Sequence, residues 1–192
     1  AAVRALCLDA ALSLDLSKSN DKQTASKENA RASFLIPIAK AFSTDIGCRV
    51  ADIGIQVHGG MGYVEETGAA QVFRDVRVTA IYEGTNGIQA IDLVGRKLAD
   101  SGKAANGLID EMKLTISNCS NHEDKQIREM GTRLSKSLVC LENTLNWMLK
   151  QEDFNNRLAG ATPFLQAFGM ILGANYLVKA AMKTDTLDKK SL

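Results

Sequence analysis

Between residues 56 and 89 the chain reads QVHGGMGYVEETGAAQVFRDVRVTAIYEGTNGIQ, and most of its candidate chemistry lies there. Residues 54–68 hold five of the fifteen glycines: Gly54, Gly59, Gly60, Gly62 and Gly68. A helix that opens into a glycine loop exposes backbone N–H groups, which can hold phosphate oxygens. Such a loop can also end a helix for purely steric reasons. The second feature is Glu83, set between Tyr82 and Gly84 just ahead of a helix start. A carboxylate beside an aromatic ring, with a bare glycine next to it, has room for a ligand. Partial burial would raise its pKa toward the range of a general base. The plainer reading is an exposed loop glutamate that complements a helix N-terminus. The residues alone leave both pairs of readings open.

Other candidates carry less. Glu65 and Glu66 read as solvated acids, and Arg74 with Asp75 as an ion pair or cap that fixes the turn before Glu83. His58 and His122 are too far apart for a local metal motif, and nothing near His58 completes a metal site or makes it a second base. Cys7, Cys48, Cys119 and Cys140 form no C-x-x-C pair, so neither zinc nor a disulfide scaffold is expected. Reduced, buried thiols and a cytoplasmic location follow as the expectation.

The elements that must position these residues read as helices throughout. Residues 1–17 place Val3, Leu6, Ala10 and Leu14 on one face, and residues 17–21 make a turn. A second helical region begins near Lys22, and Pro37 inside it is expected to start a new helix or kink the old one. Beyond it, Ile38, Phe42, Ile46, Val50, Ile53 and Val57 form one stripe, which ends at the glycines. Residues 69–78 predict a short helix, and Thr85 an N-cap for a helix reaching Ala99. Residues 100–103 read as a hinge. Leu108, Met112 and Ile116 mark the next helix. Ile127, Met130, Leu134, Leu138, Leu141, Leu145 and Met148 mark a longer one with a bundle-type seam, taken as core or subunit interface. A last helix starts near Pro163 with Phe164, Phe168, Ile171, Leu172 and Tyr176. Lys183, Lys189 and Lys190, interleaved with Asp185 and Asp188, predict a solvated tail. The fold class is all-α: an antiparallel helical bundle over residues 1–99, followed by a second helical extension over 100–192.

Composition bounds what such a bundle can do. The 192 residues carry 23 Lys+Arg against 22 Asp+Glu, so no whole-molecule field steers nucleic acid or an anionic membrane surface. At 45% apolar residues the chain can bury a core. No stretch reads as a transmembrane segment or a signal peptide. The opening Ala1-Ala2-Val3, without methionine, reads as a piece of a longer protein.

QVHGGMGY at 56–63 and RDVRVTAIYEGTNGIQ at 74–89, in that order and spacing, resemble the two signatures of the acyl-CoA dehydrogenase family. The resemblance covers residues 1 to about 99, the family's C-terminal helical domain. The run EGTNGIQAIDLVGRKL and the helices after residue 100 resemble a longer bacterial subgroup with a C-terminal extension, the 3-methylmercaptopropionyl-CoA dehydrogenase-like enzymes. The resemblance implies that Glu83 is the catalytic base. It would take the α-proton of an acyl-CoA thioester while the β-hydrogen leaves as hydride to FAD, giving a trans-2-enoyl-CoA. It implies that the thioester carbonyl is polarised by the backbone N–H of the same glutamate and a flavin hydroxyl. Gly84 is implied to lie against the acyl thioester. Thr85, Asn86 and Gly87 are implied to contact FAD; Asn86-Gly87 departs from the larger polar residues often found there. Gln56, Val57, His58, Gly59 and Gly60 are implied to touch the FAD of a neighbouring subunit, hence a homo-oligomer, dimer or tetramer. An electron-transfer flavoprotein is the implied electron acceptor, and no metal is implied. The resemblance places most flavin and CoA contacts in domains ahead of this segment, so the segment alone is expected to be inactive. Two alternatives stand beside this reading: a helical dimerisation or interaction module without catalysis, and part of an acyl-CoA oxidase.

Overall fold

A computed structural model of the chain describes residues 1–188, with side chains through residue 184. The described residues are helical and include no strand. The expected tail residues Lys189 and Lys190, and the side chains of Asp185 and Asp188, lie outside the described residues. The order is α1 (Ala2–Leu16), α2 (Lys22–His58), α3 (Gly60–Tyr63), α4 (Ala69–Arg77), α5 (Asn86–Asp92), α6 (Lys103–Ser120), α7 (Lys125–Lys150), α8 (Phe154–Ala159) and α9 (Ala161–Asp188). Short 3₁₀ turns at Glu65–Thr67 and Val78–Ala80 and a π-helical turn at Leu93–Lys97 link them.

The 37-residue α2 organises the molecule, packing against α1, α4, α5, α6 and α9. Asp21 starts it, its carboxylate accepting from the backbone N–H of Gln23 at 3.3 Å and of Thr24 at 3.1 Å. Pro37 neither starts a helix nor breaks this one: α2 runs unbroken through it. The proline lacks the N–H that would bond the Ser33 carbonyl. Pro37 is buried, as are Phe34 and Ile38 on the same helix face, and that burial offsets the missing bond. The α2 stripe behaves as expected only in its first half. Ile38 and Phe42 are buried and Ile46 packs on the core, while Val50, Ile53 and Val57 are exposed: α3 and α4 pack on the end of α2 but leave this stripe uncovered among the described residues.

Other faces shift by one residue. In α1 the buried face is Leu6, Ala10 and Ser13, and Leu14 lies outside it at 42% exposed. In α7 Met130 points outward, and Gly131 takes the place in the seam against α6. The thiols also differ from expectation: Cys119 is buried, Cys48 is intermediate, and Cys7 and Cys140 are exposed. Residues 100–103 form a tight capped turn. The Asp100 carboxylate accepts from the N–H groups of Lys103 at 3.1 Å and Ala104 at 3.0 Å, and Ser101 and Gly102 have positive φ.

The main core draws from both ends of the sequence: Leu6, Phe34, Leu35 and Ile38 meet Leu108, Met112, Leu141, Phe164 and Phe168. Phe168 sets its ring edge-on to Phe34 and Phe164, with centroids 5.0 and 5.9 Å away. Against the sequence expectation, Ala161–Thr184 of α9 is long and apolar enough to cross a membrane; half of its apolar window is buried inside the molecule, as in a core helix. Lys113 and Glu142 pair at 2.6 Å across the neighbouring α6 and α7.

Candidate active site

The glycine segment closes on itself. Gly59 ends α2 at φ 62°, a conformation that disfavours any side chain, and its N–H bonds the Gln56 carbonyl at 3.1 Å. Gly62 is buried against α2, where a Cβ would strike the Ile55 carbonyl and come within 2.9 Å of the His58 Cβ. The Thr67 hydroxyl donates to the Met61 carbonyl at 2.6 Å. Steric closure therefore explains Gly62 and the positive φ explains Gly59; at Gly59, as at Gly54 and Gly60, a Cβ would meet nothing within 4 Å. Arg74 does not pair with Asp75. It reaches back to Glu65 at 2.6 Å, tying α4 to the glycine segment, and Asp75 accepts from Gln71 at 2.7 Å. Gln56, Val57, His58, Gly59 and Gly60 are all exposed. The His58 Nδ1 donates to the Gly54 carbonyl at 2.8 Å.

Glu83 stands in a different turn. The N–H groups of Ile81 and Tyr82 both bond the Val78 carbonyl, at 2.9 and 3.1 Å. The chain then turns through two consecutive positive-φ residues, Glu83 at 54° and Gly84 at 86°. Thr85 is the N-cap of α5, its hydroxyl oxygen accepting from the Ile88 N–H at 3.4 Å. Glu83, Gly84, Thr85 and Gly87 are exposed, so Glu83 does not have the partial burial considered for it within this chain.

Side chains from elsewhere hold this turn. Lys40 of α2 donates to the Gly84 carbonyl at 2.7 Å and to the Asn86 Oδ1 at 2.8 Å. The Asn86 amide donates to Asp45 at 2.6 Å, to the Thr44 hydroxyl at 2.9 Å and to the Ala41 carbonyl at 3.2 Å. The Asn86 side chain thus anchors α5 to α2. Asp45 also accepts from Gln166 of α9, and Gln89 donates to the Glu83 carbonyl at 3.1 Å. Sequence reasoning did not single out Lys40, Thr44, Asp45, Gln89 or Gln166. The available signal was Lys40 itself, a lysine between the core residues Ile38 and Phe42.

An open groove of about 680 Å³ adjoins the turn, lined by Ile36, Glu83, Gly84, Ile88 and Arg96 among others. Phe154 of α8 forms part of its wall, and a Cβ on Gly95 would sit 3.5 Å from the Phe154 ring. Of the expected site residues Glu83 and Gly84 line this groove, and Thr85, Asn86 and Gly87 follow them directly at the start of α5. Residues 56–60 lie apart from them: positions 40 and 56 of α2 are about 24 Å apart at the ordinary helical rise.

A family profile described as "Acyl-CoA dehydrogenase, C-terminal domain" matches residues 1–99, and one described as "Acetyl-CoA dehydrogenase C-terminal like" matches residues 108–191. The 3-methylmercaptopropionyl-CoA dehydrogenase of Ruegeria pomeroyi is 37% identical over 169 residues, 86% of this chain and 29% of that protein. The very long-chain specific acyl-CoA dehydrogenase of rat (Rattus norvegicus) mitochondria is 35% identical over 106 residues, 52% of this chain and 16% of that protein. The chain thus spans less than a third of the length of these relatives. In fold it resembles Caenorhabditis elegans ACDH-11, solved in complex with C11-CoA, with a TM-score of 0.76 and 22% identity over 92% of this chain and 30% of that one.

Proposed function

The chain belongs to the acyl-CoA dehydrogenase family through that family's C-terminal domain, and on that premise we propose that it supplies the base for α,β-dehydrogenation of an acyl-CoA thioester. The observation that carries the reading is Glu83, a non-glycine residue held at φ 54° at the edge of an open groove, immediately before the capped start of α5. Non-glycine residues adopt this conformation rarely and keep it where surrounding structure enforces it. The turn presents the Glu83 carboxylate and the bare Gly84 together. The carboxylate takes the α-proton, and the Glu83 backbone N–H donates to the thioester oxygen as charge develops there. Gly84, without a side chain, leaves the acyl group room beside the base.

The exposed residues fit a large polar cofactor in donor character. Gly60 and Gly87 offer backbone N–H groups without side-chain cover, and the Thr85 hydroxyl still has its own proton to donate while its oxygen caps α5. Asn86 would take part through its backbone, since its amide is engaged with α2. FAD, when bound, supplies the acceptor for the β-hydride. Residues 56–60 lie about 24 Å along α2 from the Lys40 position that holds the Glu83 turn, a separation that fits a homo-oligomer in which they touch a neighbour's cofactor. The exposed Val50, Ile53, Val57 and Met61 beside them supply an apolar surface for such a neighbour. An electron-transfer flavoprotein is the proposed acceptor of the electrons, and the cytoplasm the proposed location.

The test is Glu83→Gln in the complete FAD-loaded protein. The amide keeps the shape and loses the base, so the flavin spectrum persists while turnover falls by at least ~10². Near-normal turnover would overturn the assignment.

A further inference from the structure

The reading of Glu83 as the base leaves open what keeps its turn in so uncommon a conformation. The φ of Glu83 and the φ of Gly84 are both positive, and the local backbone bonds stop short of them, at Ile81 and Tyr82. Two peptide planes follow, and each presents its carbonyl to one side-chain donor. Gln89, one turn into α5, holds the Glu83 carbonyl at 3.1 Å. Lys40, from the middle of α2, holds the Gly84 carbonyl at 2.7 Å. With both carbonyls held, relaxation of the backbone on the C-terminal side of Glu83 toward the ordinary right-handed region must break these bonds.

We propose that Lys40, assisted by Gln89, is a positioning residue that holds the Glu83–Gly84 turn in its active geometry. The inference deepens the reading of Glu83 as base and rests on it. The choice of side chain follows from the geometry. The carbonyl to be held and the Asn86 oxygen both face α2, and a lysine ammonium on a long flexible stem can donate to both at once. The anchor itself is braced. Asn86, which shares the ammonium, is tied to Thr44 and Asp45, and Asp45 is tied to Gln166 of α9. Through that chain of bonds the second helical segment supports the turn without touching the reacting atoms. A base displaced by about 1 Å can lose some 10²-fold in rate, so a small relaxation of this turn has a measurable cost.

The experiment compares Lys40→Met, Lys40→Arg and Glu83→Gln in the complete FAD-loaded protein. Hydrogen exchange is followed in parallel on the 192-residue chain. Lys40→Met removes the donor and keeps the stem. It is expected to lower kcat by at least ~10-fold with KM for the acyl-CoA within about threefold of wild type. The kinetic isotope effect with α-deuterated substrate should increase, because the misplaced base makes C–H cleavage more rate-limiting. Lys40→Arg, which restores a charged donor, should recover part of kcat. Amides 83–88 should exchange faster in Lys40→Met while the α2 and α9 core amides keep their protection. A purely structural loss would lower flavin content or melting temperature and leave the isotope effect unchanged. Unchanged kcat and isotope effect in Lys40→Met, with Glu83→Gln inactive, would overturn this inference and leave the base reading standing. An active Glu83→Gln would overturn both. If Lys40→Met fails to fold, Gln89→Leu, which frees the other carbonyl, is judged by the same kcat, isotope-effect and exchange criteria.

Discussion

At Glu83 and Gly84 two neighbours reach the same left-handed region at different cost. Glycine adopts φ 86° without strain, whereas glutamate at φ 54° stores about 1–3 kcal/mol that its surroundings must enforce. Alanine at position 84 would add that strain and place its Cβ 3.2 Å from the Gln89 amide nitrogen, one of the two donors on the turn. Gly84→Ala should therefore lower stability by about 1–3 kcal/mol and reduce turnover by more than its stability loss explains. Calorimetry and steady-state kinetics on one preparation would check this; unaltered turnover would show that the turn tolerates a side chain. The residues at this point were legible because they lie in one contiguous motif, where Glu83, Gly84 and the Thr85 cap can be read in line. Their supports were not. Lys40 and Gly84 are held together by the bend of the chain between α2 and α5, and no local spacing encodes a contact across it. Asn86 could be read as a free polar side chain facing a cofactor only while its partners on α2 were unseen.

Among the elements, legibility followed length and periodicity. The start of α2 was readable from the polar turn before it, and the later part of α2 and most of α4, α6, α7 and α9 because each repeats an apolar position every three or four residues. The six-residue α8 and the π-helical turn at Leu93–Lys97 carry too few positions to show a period. One-residue shifts arose where packing overrode hydrophobicity, and α7 shows the reason. Met130 fits the apolar rhythm, yet Gly131 faces α6, because a Cβ there would overlap that of Cys119. The close approach of the two helices depends on that missing methyl group. Alanine has the better helix propensity by about 1 kcal/mol, but in a well-packed contact overpacking costs about 1–3 kcal/mol. Gly131→Ala is thus expected to destabilise the chain by up to about 2 kcal/mol, the difference between the two. Urea unfolding would measure it, and a midpoint above wild type would mean that propensity outweighs packing at this crossing. The same crossing buries Cys119 and raises its thiol pKa through desolvation. In the native chain the exposed Cys7 and Cys140 should react readily with a thiol reagent, and Cys119 only on unfolding.

For the molecule as a whole, four helices meet at a polar cluster. Arg31 of α2 pairs with Asp9 of α1 at 2.7 Å and with Glu111 of α6, and the Tyr176 hydroxyl of α9 donates to Asp9. Burial works against the Arg31 charge, yet the hydrogen bond and charge of Asp9 and the charge of Glu111 hold its pKa above the usual arginine value. Tyr176 is pushed well above the ordinary tyrosine range, first by burial and then by its hydrogen bond to Asp9; the nearby Arg31 acts in the opposite direction. The sign of the linkage follows. A tyrosine whose folded pKa lies above its unfolded value contributes stability that is fully present below the unfolded value, near 10, and is lost as pH rises past it. Neutral pH therefore leaves the contribution intact, and alkali weakens the junction of α1 and α9. Melting temperature should fall with pH above about 10 more steeply in the wild type than in Tyr176→Phe, which keeps the ring and removes the proton. The same variant gives up the Asp9 bond at every pH, so its curve should start lower and run flatter. Parallel curves for the two proteins would place the alkaline loss elsewhere and leave Tyr176 a packing residue alone. The pairing of α1 and α2 with α6 and α9 through these charges, and through the shared Phe34–Phe164–Phe168 core, gives the two helical segments a common stability, so the alkaline transition is expected to be single and cooperative.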